Sequence, residues 1–215
     1  MKITWTKPHL LDDMITPELY RDEYVNNLSK VINCGLKVKS LSDYVSSIYR
    51  GFTPEHKDNN CNSDYLLLKT VNIRRNYLDL SSSFAVSEKV FSENPRYHVN
   101  ENDALITIMG ATDDVLGRAW SFNSKKHFLF SDGVAILKNI KGIDKEYLVS
   151  YLNSEVGHKS ILQWSSGSTR KYITNERLAK IKIPEPTLEI QNYIGNKVRK
   201  AEELREKANK NRREY

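Results

Sequence analysis

Three segments of this 215-residue chain mix cations, amides and hydroxyls in the proportions that recognition of a polyanion requires. The first, Lys69-Thr-Val-Asn-Ile-Arg-Arg-Asn-Tyr77, carries Lys69, Thr70, Asn72, Arg74 and Arg75 at the end of an apolar run. The second is Gly117-Arg118, with Lys125 and Lys126 further along. The third, Ser165-Ser-Gly-Ser-Thr-Arg-Lys-Tyr172, offers Gly167, Ser168, Thr169, Arg170 and Lys171. Phosphates are bound by Lys, Arg, small hydroxyls and backbone N–H groups, whereas base edges select Arg, Asn and Gln geometry. Each segment alone also fits an ordinary polar turn, and Gly167 also fits the turn that ends a helix. Tyr172 and Ile173 are expected to pack rather than to touch bases.

The groups an enzyme needs are missing from the pattern. There is no G-x-x-x-x-G-K-[ST] phosphate loop, no G-x-G-x-x-G fingerprint and no H-E-x-x-H helix. Ser131-Asp132-Gly133 beside His127 lacks the G-x-S-x-G elbow of a hydrolase. The five histidines (His9, His56, His98, His127, His158) are scattered, and the adjacent acids Asp12-Asp13 and Asp113-Asp114 have the context of turns. Cys34 and Cys61 stand alone, which gives a zinc site or a disulfide framework little support and suits a reducing cytoplasm. The expectation is a binder without catalytic residues, metal ligands or cofactor.

Charge and composition agree with that reading. The net charge is +6, and the last 20 residues hold eight Lys and Arg against four Glu, so +4 of it sits in the tail. A hydrophobic share of 39% and an aromatic share of 10% exclude disorder throughout. No stretch approaches the ~18 apolar residues of a membrane span. The opening Met-Lys-Ile-Thr-Trp-Thr-Lys-Pro has no export pattern, so a cytoplasmic location is expected.

The elements that must position these groups follow from periodicity. Thr16-Pro17-Glu18 can open a helix with Thr16 as its cap, which Leu19, Tyr20, Val25, Leu28, Val31 and Ile32 continue to Cys34-Gly35. Short apolar runs then read as strands: Tyr65 to Val71, Ala104 to Met109 and Gly133 to Leu137. The stretches 81–102 and 110–117 are polar and irregular. Asp144 caps a helix from Lys145 to about Trp164, Thr174 starts a short one, Ile181-Lys-Ile183 alternates as a brief strand, and Pro184-Glu-Pro186 breaks the chain. From Thr187 onward Ile190, Ile194, Val198, Ala201, Leu204 and Ala208 trace a stripe with helix–helix spacing. A helix over 187–215 runs ~43 Å, longer than a small domain needs, and must find a partner or sit in water. The class is α+β (mixed α/β): an N-terminal arm and helix over 1–36, a domain over 37–186 with a small mixed sheet and packed helices, and the long helix over 187–215.

The order of segments resembles the DNA-specificity subunit of type I restriction–modification systems, in the form of one target recognition domain and its following helix. Gly51-Phe-Thr-Pro54 resembles the family's G-x-[ST]-P. Tyr65 to Leu80 resembles its strand-plus-turn region, with Asn72 where Asp is common. Val99 to Gly110 resembles its l-x-x-G-D-i-l-i-t-x-x-G strand, with Asn102 in place of Gly. Tyr147 to Ser154, Gly167 to Ile173, Leu178 to Ile183, Pro184-x-Pro186 and Leu188-Glu-Ile-Gln191-x-x-Ile194 complete the series.

The resemblance implies a subunit that reads one half of a split target in double-stranded DNA. It implies that methylation and cleavage belong to partners, a methyltransferase (modification) subunit and, through the complex, a restriction subunit. Such subunits usually carry two recognition domains and two helices; this chain has one of each, which fits a homodimer or pairing with a second specificity half through the 187–215 helix. The alternative is a non-reading interaction subunit that docks on the methyltransferase through that helix.

Overall fold

The computed structural model describes residues 16–55, 63–123 and 126–211. The arm over 1–15, Asp12-Asp13, His9, His56, Cys61 and Lys125 lie outside the described residues, as do 212–215 of the expected 187–215 helix.

A single helical turn over Pro17–Tyr20 precedes α1 (Asp22–Ile32). Thr16 makes no side-chain cap, and α1 begins only at Asp22, where Asp22 and Glu23 place negative charge at the positive end of the helix dipole. The strands β1 (Lys37–Ser40), β2 (Ser47–Arg50), β3 (Tyr65–Leu68), β4 (Ile73–Arg74), β5 (Tyr77–Leu78) and β6 (Phe84–Ala85) follow, then the short α2 (Glu88–Ser92) inside the stretch expected to be irregular. β7 (Ala104–Thr107), β8 (Met109–Gly110), β9 (Ala119–Ser121), β10 (His127–Phe130) and β11 (Val134–Lys138) lead to the helices α3 (Lys145–Asn153) and α4 (Glu155–Gln163). β12 (Lys171–Tyr172), α5 (Asn175–Ala179), β13 (Lys182–Glu185) and α6 (Leu188–Asn211) complete the chain.

Two sheets stack in the middle. One is antiparallel with strand order β2-β11-β7-β9; the other, β10-β3-β6, pairs β10 and β3 in parallel. β7 reads as an unbroken apolar run because both of its faces are buried. Ala104 and Ile106 face a core shared with Leu148, Leu152, Ile161 and Leu178 of the helices. Leu105 faces the other way, into the layer between the sheets with Leu66, Leu68, Phe128 and Phe130. On the outer face of the second sheet, Leu67 and Leu129 pack with Val86, and Val90 and Phe91 of α2 cover them.

The expected helix from Lys145 to Trp164 is two helices. Ser154, extended at ψ 161, ends α3 and caps α4, its Oγ accepting from Gly157 N–H at 3.1 Å. Apolar periodicity runs through the break, so only the Ser154 cap signalled it. Asp144 caps α3 through Tyr147 N–H at 2.8 Å, and Thr174 caps α5, as expected. Pro184 lies inside β13, where the two-stranded ribbon with β1 leaves an edge that tolerates it.

The 187–215 stripe splits on docking. α6 begins at Leu188 and packs along α3. Its docked face is set by polar anchors. Buried Gln191 accepts from Asp144 N–H at 2.9 Å and donates to Pro186 O at 2.8 Å. Arg199 pairs with Asp144 at 3.1 Å and also with Glu146. Of the expected seam, Ile194 packs on the core and Val198 and Ala201 are half-buried. Ile190 stays 48% and Leu204 55% exposed, and Ala208 is exposed too. Among the described residues no helix is long and apolar enough to cross a membrane.

Asp103 organises the turn before β7 without a glycine. Its buried carboxylate accepts from Asn100 N–H and Asn139 N–H, both at 2.8 Å, and pairs with Lys138 at 2.6 Å. Asp103→Ala leaves Lys138 and two backbone donors without their acceptor. A loss of ~3–5 kcal/mol is expected, read as a fall in the urea midpoint of unfolding.

Candidate nucleic-acid interface

Four strands end at one edge of the domain. The register places Arg50 opposite Ala135 and Thr107 opposite Val134, and Leu68 runs beside Phe130. The ends of β2, β3, β7 and β10 and the start of β11 therefore meet there. Gly51 opens the loop after β2, donating to Val134 O at 2.8 Å; a Cβ on it would lie 2.2 Å from Phe130 O, so only glycine allows this approach. Gly51-Phe-Thr-Pro54 thus starts as a close crossing of two backbones.

The first predicted cluster divides at this edge. Lys69 and Thr70 are half-buried, and Lys69 Nζ sits 3.9 Å from the centre of the Phe84 ring. Asn72 does not reach the surface. It is fully buried, its Oδ1 accepts from Lys69 N–H at 2.8 Å, and its Nδ2 donates to Asp79 O and Ser82 Oγ. Asn72 holds the turn and is withdrawn as a contact. Arg74 pairs with Asp79 at 3.4 Å while remaining 36% exposed. Arg75 sits in the turn of the β4–β5 hairpin and donates to Asn153 O at 2.9 Å.

The third cluster is the tip of a hairpin, not a helix terminus. Ser166 and Tyr172 exchange two backbone hydrogen bonds at 2.8 and 2.9 Å, closing a five-residue loop over 167–171. Gly167 has φ +98, a left-handed conformation that L side chains rarely adopt. Arg177 braces the loop from below, donating to Ser166 Oγ at 2.6 Å and Trp164 O at 3.1 Å. Gly167, Ser168, Thr169 and Arg170 are exposed. β12 then pairs Lys171 with Gly110 and Tyr172 with Met109, bringing this hairpin to the end of β7.

Tyr172 departs from expectation: it is 44% exposed, while Ile173 is buried. The alternation Lys171-Tyr172-Ile173 was the available signal, since neighbours on a strand face opposite ways. Arg50, at the end of β2, was also missed. It is exposed and holds the reversal after β10 through Asp132 O at 2.8 Å.

The second cluster is not a loop tip. The Arg118 side chain is only 11% exposed, donates to Asp114 O at 3.0 Å and pairs with the Asp114 carboxylate. It braces the 111–117 loop from within and is withdrawn as a surface contact. Lys126 donates to Ser63 O at the far end of β10, away from this edge. The loop gathers cations from all three clusters: Arg75 reaches Asp114 at 3.5 Å, Arg118 reaches it from beneath, and Lys171 pairs with Asp113 at 2.7 Å. The hydrogen bonds and charge of Arg118 hold the Asp114 carboxyl below its ordinary range. His158 Nε2 lies 2.8 Å from Asp113 O and 3.0 Å from Leu116 O, so that nitrogen carries the proton. Among the described residues no three His, Cys, Asp or Glu side chains could hold a metal ion.

Residues 33–213 match the family model described as the type I restriction modification DNA specificity domain. The chain belongs to this family. Solved structures carry the same fold. An HsdS subunit from Thermoanaerobacter tengcongensis aligns at TM-score 0.53 and 17% identity over 83% of this chain and 42% of its own. A structure of type I R-M complex assembly and conformational transition aligns at 0.55 and 19%, over 79% of this chain and 39% of its own. The type IIG restriction endonuclease BpuSI aligns at 0.60 and 12%, over 86% of this chain and 28% of its own. The chain thus spans about two-fifths of the type I chains it aligns with. No curated protein matches it.

In this specificity domain burial favours the neutral form of the imidazole that bonds the 111–117 loop. Burial lowers the His158 pKa from its ordinary 6.5, and the nearby Arg75 lowers it further. As pH falls below 6.5 the unfolded chain takes up a proton that the folded chain does not, so stability is full above 6.5 and declines below it. Urea unfolding followed against pH should show this decline, and His158→Gln, which does not titrate, should remove its part of the slope.

Proposed function

We propose that this chain reads one half of a split target in double-stranded DNA through the loops gathered at the common edge of β2, β3, β7 and β10. The observation that carries this reading is the convergence, in a DNA-specificity domain, of Lys69, Thr70, Arg74, Arg75, Lys171 and the exposed Gly167–Arg170 tip around the ends of four strands. Ser168, Thr169 and backbone N–H groups of the tip suit phosphates; Arg170 is assigned to a base edge, and Tyr172 is a further exposed residue of the same hairpin. In this organisation residues 37–186 form the recognition domain and 187–215 the spacer helix. The exposed stripe of Ile190, Tyr193 and Leu204 on α6 serves to pair with a second copy or a second specificity half, giving two readers at a fixed separation.

Methylation and cleavage are assigned to partner subunits, the methyltransferase and restriction chains of a type I system, in the cytoplasm. The chain itself is assigned no catalytic group and no cofactor. The same exposed stripe also supports the second reading, a non-reading subunit that docks on the methyltransferase through α6.

Co-expression with a type I methyltransferase subunit, followed by mapping of modified adenines, separates the readings. A symmetric split motif is the expected result; an asymmetric motif means that a different second reader completes the site. A stable complex without modification favours docking without reading. Arg170→Ala should weaken target binding by ~1–3 kcal/mol if Arg170 reads a base. Unchanged affinity with an unchanged salt slope removes Arg170 from the interface.

A further inference from the structure

Cations that come from separate parts of the chain meet one acidic loop. Arg75 belongs to the β4–β5 hairpin and Lys171 to β12, and each is 31% exposed. Their partners Asp114 and Asp113 are 65% and 54% exposed. The loop is held in place from behind: Thr107 Oγ1 accepts from Arg118 N–H at 2.9 Å, Thr107 O accepts from Gly117 N–H at 2.8 Å, and Arg118 clasps Asp114. Two exposed carboxylates are therefore fixed beside the Gly167–Lys171 tip, on the face proposed to meet a polyanion.

Sequence-independent affinity for DNA comes from cations that neutralise phosphates and release counterions. A cation already neutralised by a rigid carboxylate releases none on approach, and the carboxylate itself repels the phosphate. We infer that Asp113 and Asp114 are specificity-determining residues, holding Lys171 and Arg75 in ion pairs that a phosphate must displace and so suppressing binding by charge alone. This rests on the DNA-reading proposed above. On a correct target, contacts to base edges offset the exchange; on other DNA nothing does, and discrimination arises from a repulsive element as well as attractive ones.

The test is binding of the full chain to a short mixed-sequence duplex across a salt series. Asp113→Asn with Asp114→Asn should bind on the order of tenfold tighter than the natural chain, with a log–log salt slope steeper by ~0.9 for each freed cation. Asp113→Asn alone, which keeps the Arg118–Asp114 clasp, should show the step of one cation, so that loosening of the loop cannot account for the gain. Adding Arg75→Gln and Lys171→Gln to the double variant should return affinity to the starting level. Glu101→Gln with Glu189→Gln changes net charge equally at exposed positions away from this loop and should leave binding unchanged.

No gain in the Asn variants, or an equal gain in the Glu101/Glu189 control, overturns the inference while leaving the DNA-reading standing. Absence of binding by every variant down to low salt overturns both.

Discussion

The reversal Ser131-Asp132-Gly133 is the constraint on which the arrangement of this domain depends. Its backbone satisfies groups from both sheets at once: Ser131 N–H donates to Leu68 O at 2.9 Å, and Gly133 O accepts from Ile108 N–H at 2.9 Å and Met109 N–H at 3.2 Å. Just beyond it, Val134 O accepts from Gly51 N–H. One three-residue turn thus ties the ends of β3, β7 and β2 to the β10–β11 connection. Backbone donors buried at a junction of sheets must find acceptors, and here each finds one on a neighbouring strand end. The loops that leave these ends are consequently short-tethered to a rigid base, the condition under which loop side chains can present a fixed pattern to a ligand.

Rigidity of this kind explains which parts of the molecule were legible in the sequence. The strands with two buried faces, Ala104–Thr107 and Val134–Lys138, announce themselves as apolar runs, and the caps Asp144 and Thr174 mark their helices. The two-residue strands β4, β5, β6, β8 and β12 have no periodicity to read; they exist because pairing brings their partners together. The break at Ser154 was hidden for a related reason. Asn153 bonds both backbone groups of Ala119 at 2.9 Å, and that distant partner favours ending α3 where local propensity would let it run on.

The interface shows the same division. Exposure of the Gly167 tip followed from its composition, but the inward turn of Asn72 and Arg118 did not. Both residue types serve equally well as outward contacts or as internal braces, and the choice lies in what surrounds them. Asn72 can satisfy its whole amide within one turn, so burial costs it little. Arg118 finds an adjacent carboxylate and a carbonyl, and the low exposure of its side chain strengthens that pair. A list of basic residues therefore overstates the charge available to DNA, since part of it is spent on holding loops in shape.

The long helix extends this logic beyond the recognition edge. Gln191 and Arg199 lock its first turns to the start of α3, and Arg205 reaches the β4–β5 hairpin, donating to Asn76 O at 3.2 Å and lying 5.1 Å from the Tyr77 ring. Asn76 has φ 62; its N–H is taken by Ala119 O at 3.2 Å and its side chain by Asn153 at 2.7 Å. Three elements thus fix the hairpin that carries Arg74 and Arg75. If α6 sets the distance between two readers, as proposed, it must be rigid with respect to the surface each presents, because a hinge between them would blur the spacing. The polar anchors at one end and the Arg205 clasp at the other supply that rigidity, and they leave Ile190, Tyr193 and Leu204 on a flank that the domain itself does not use.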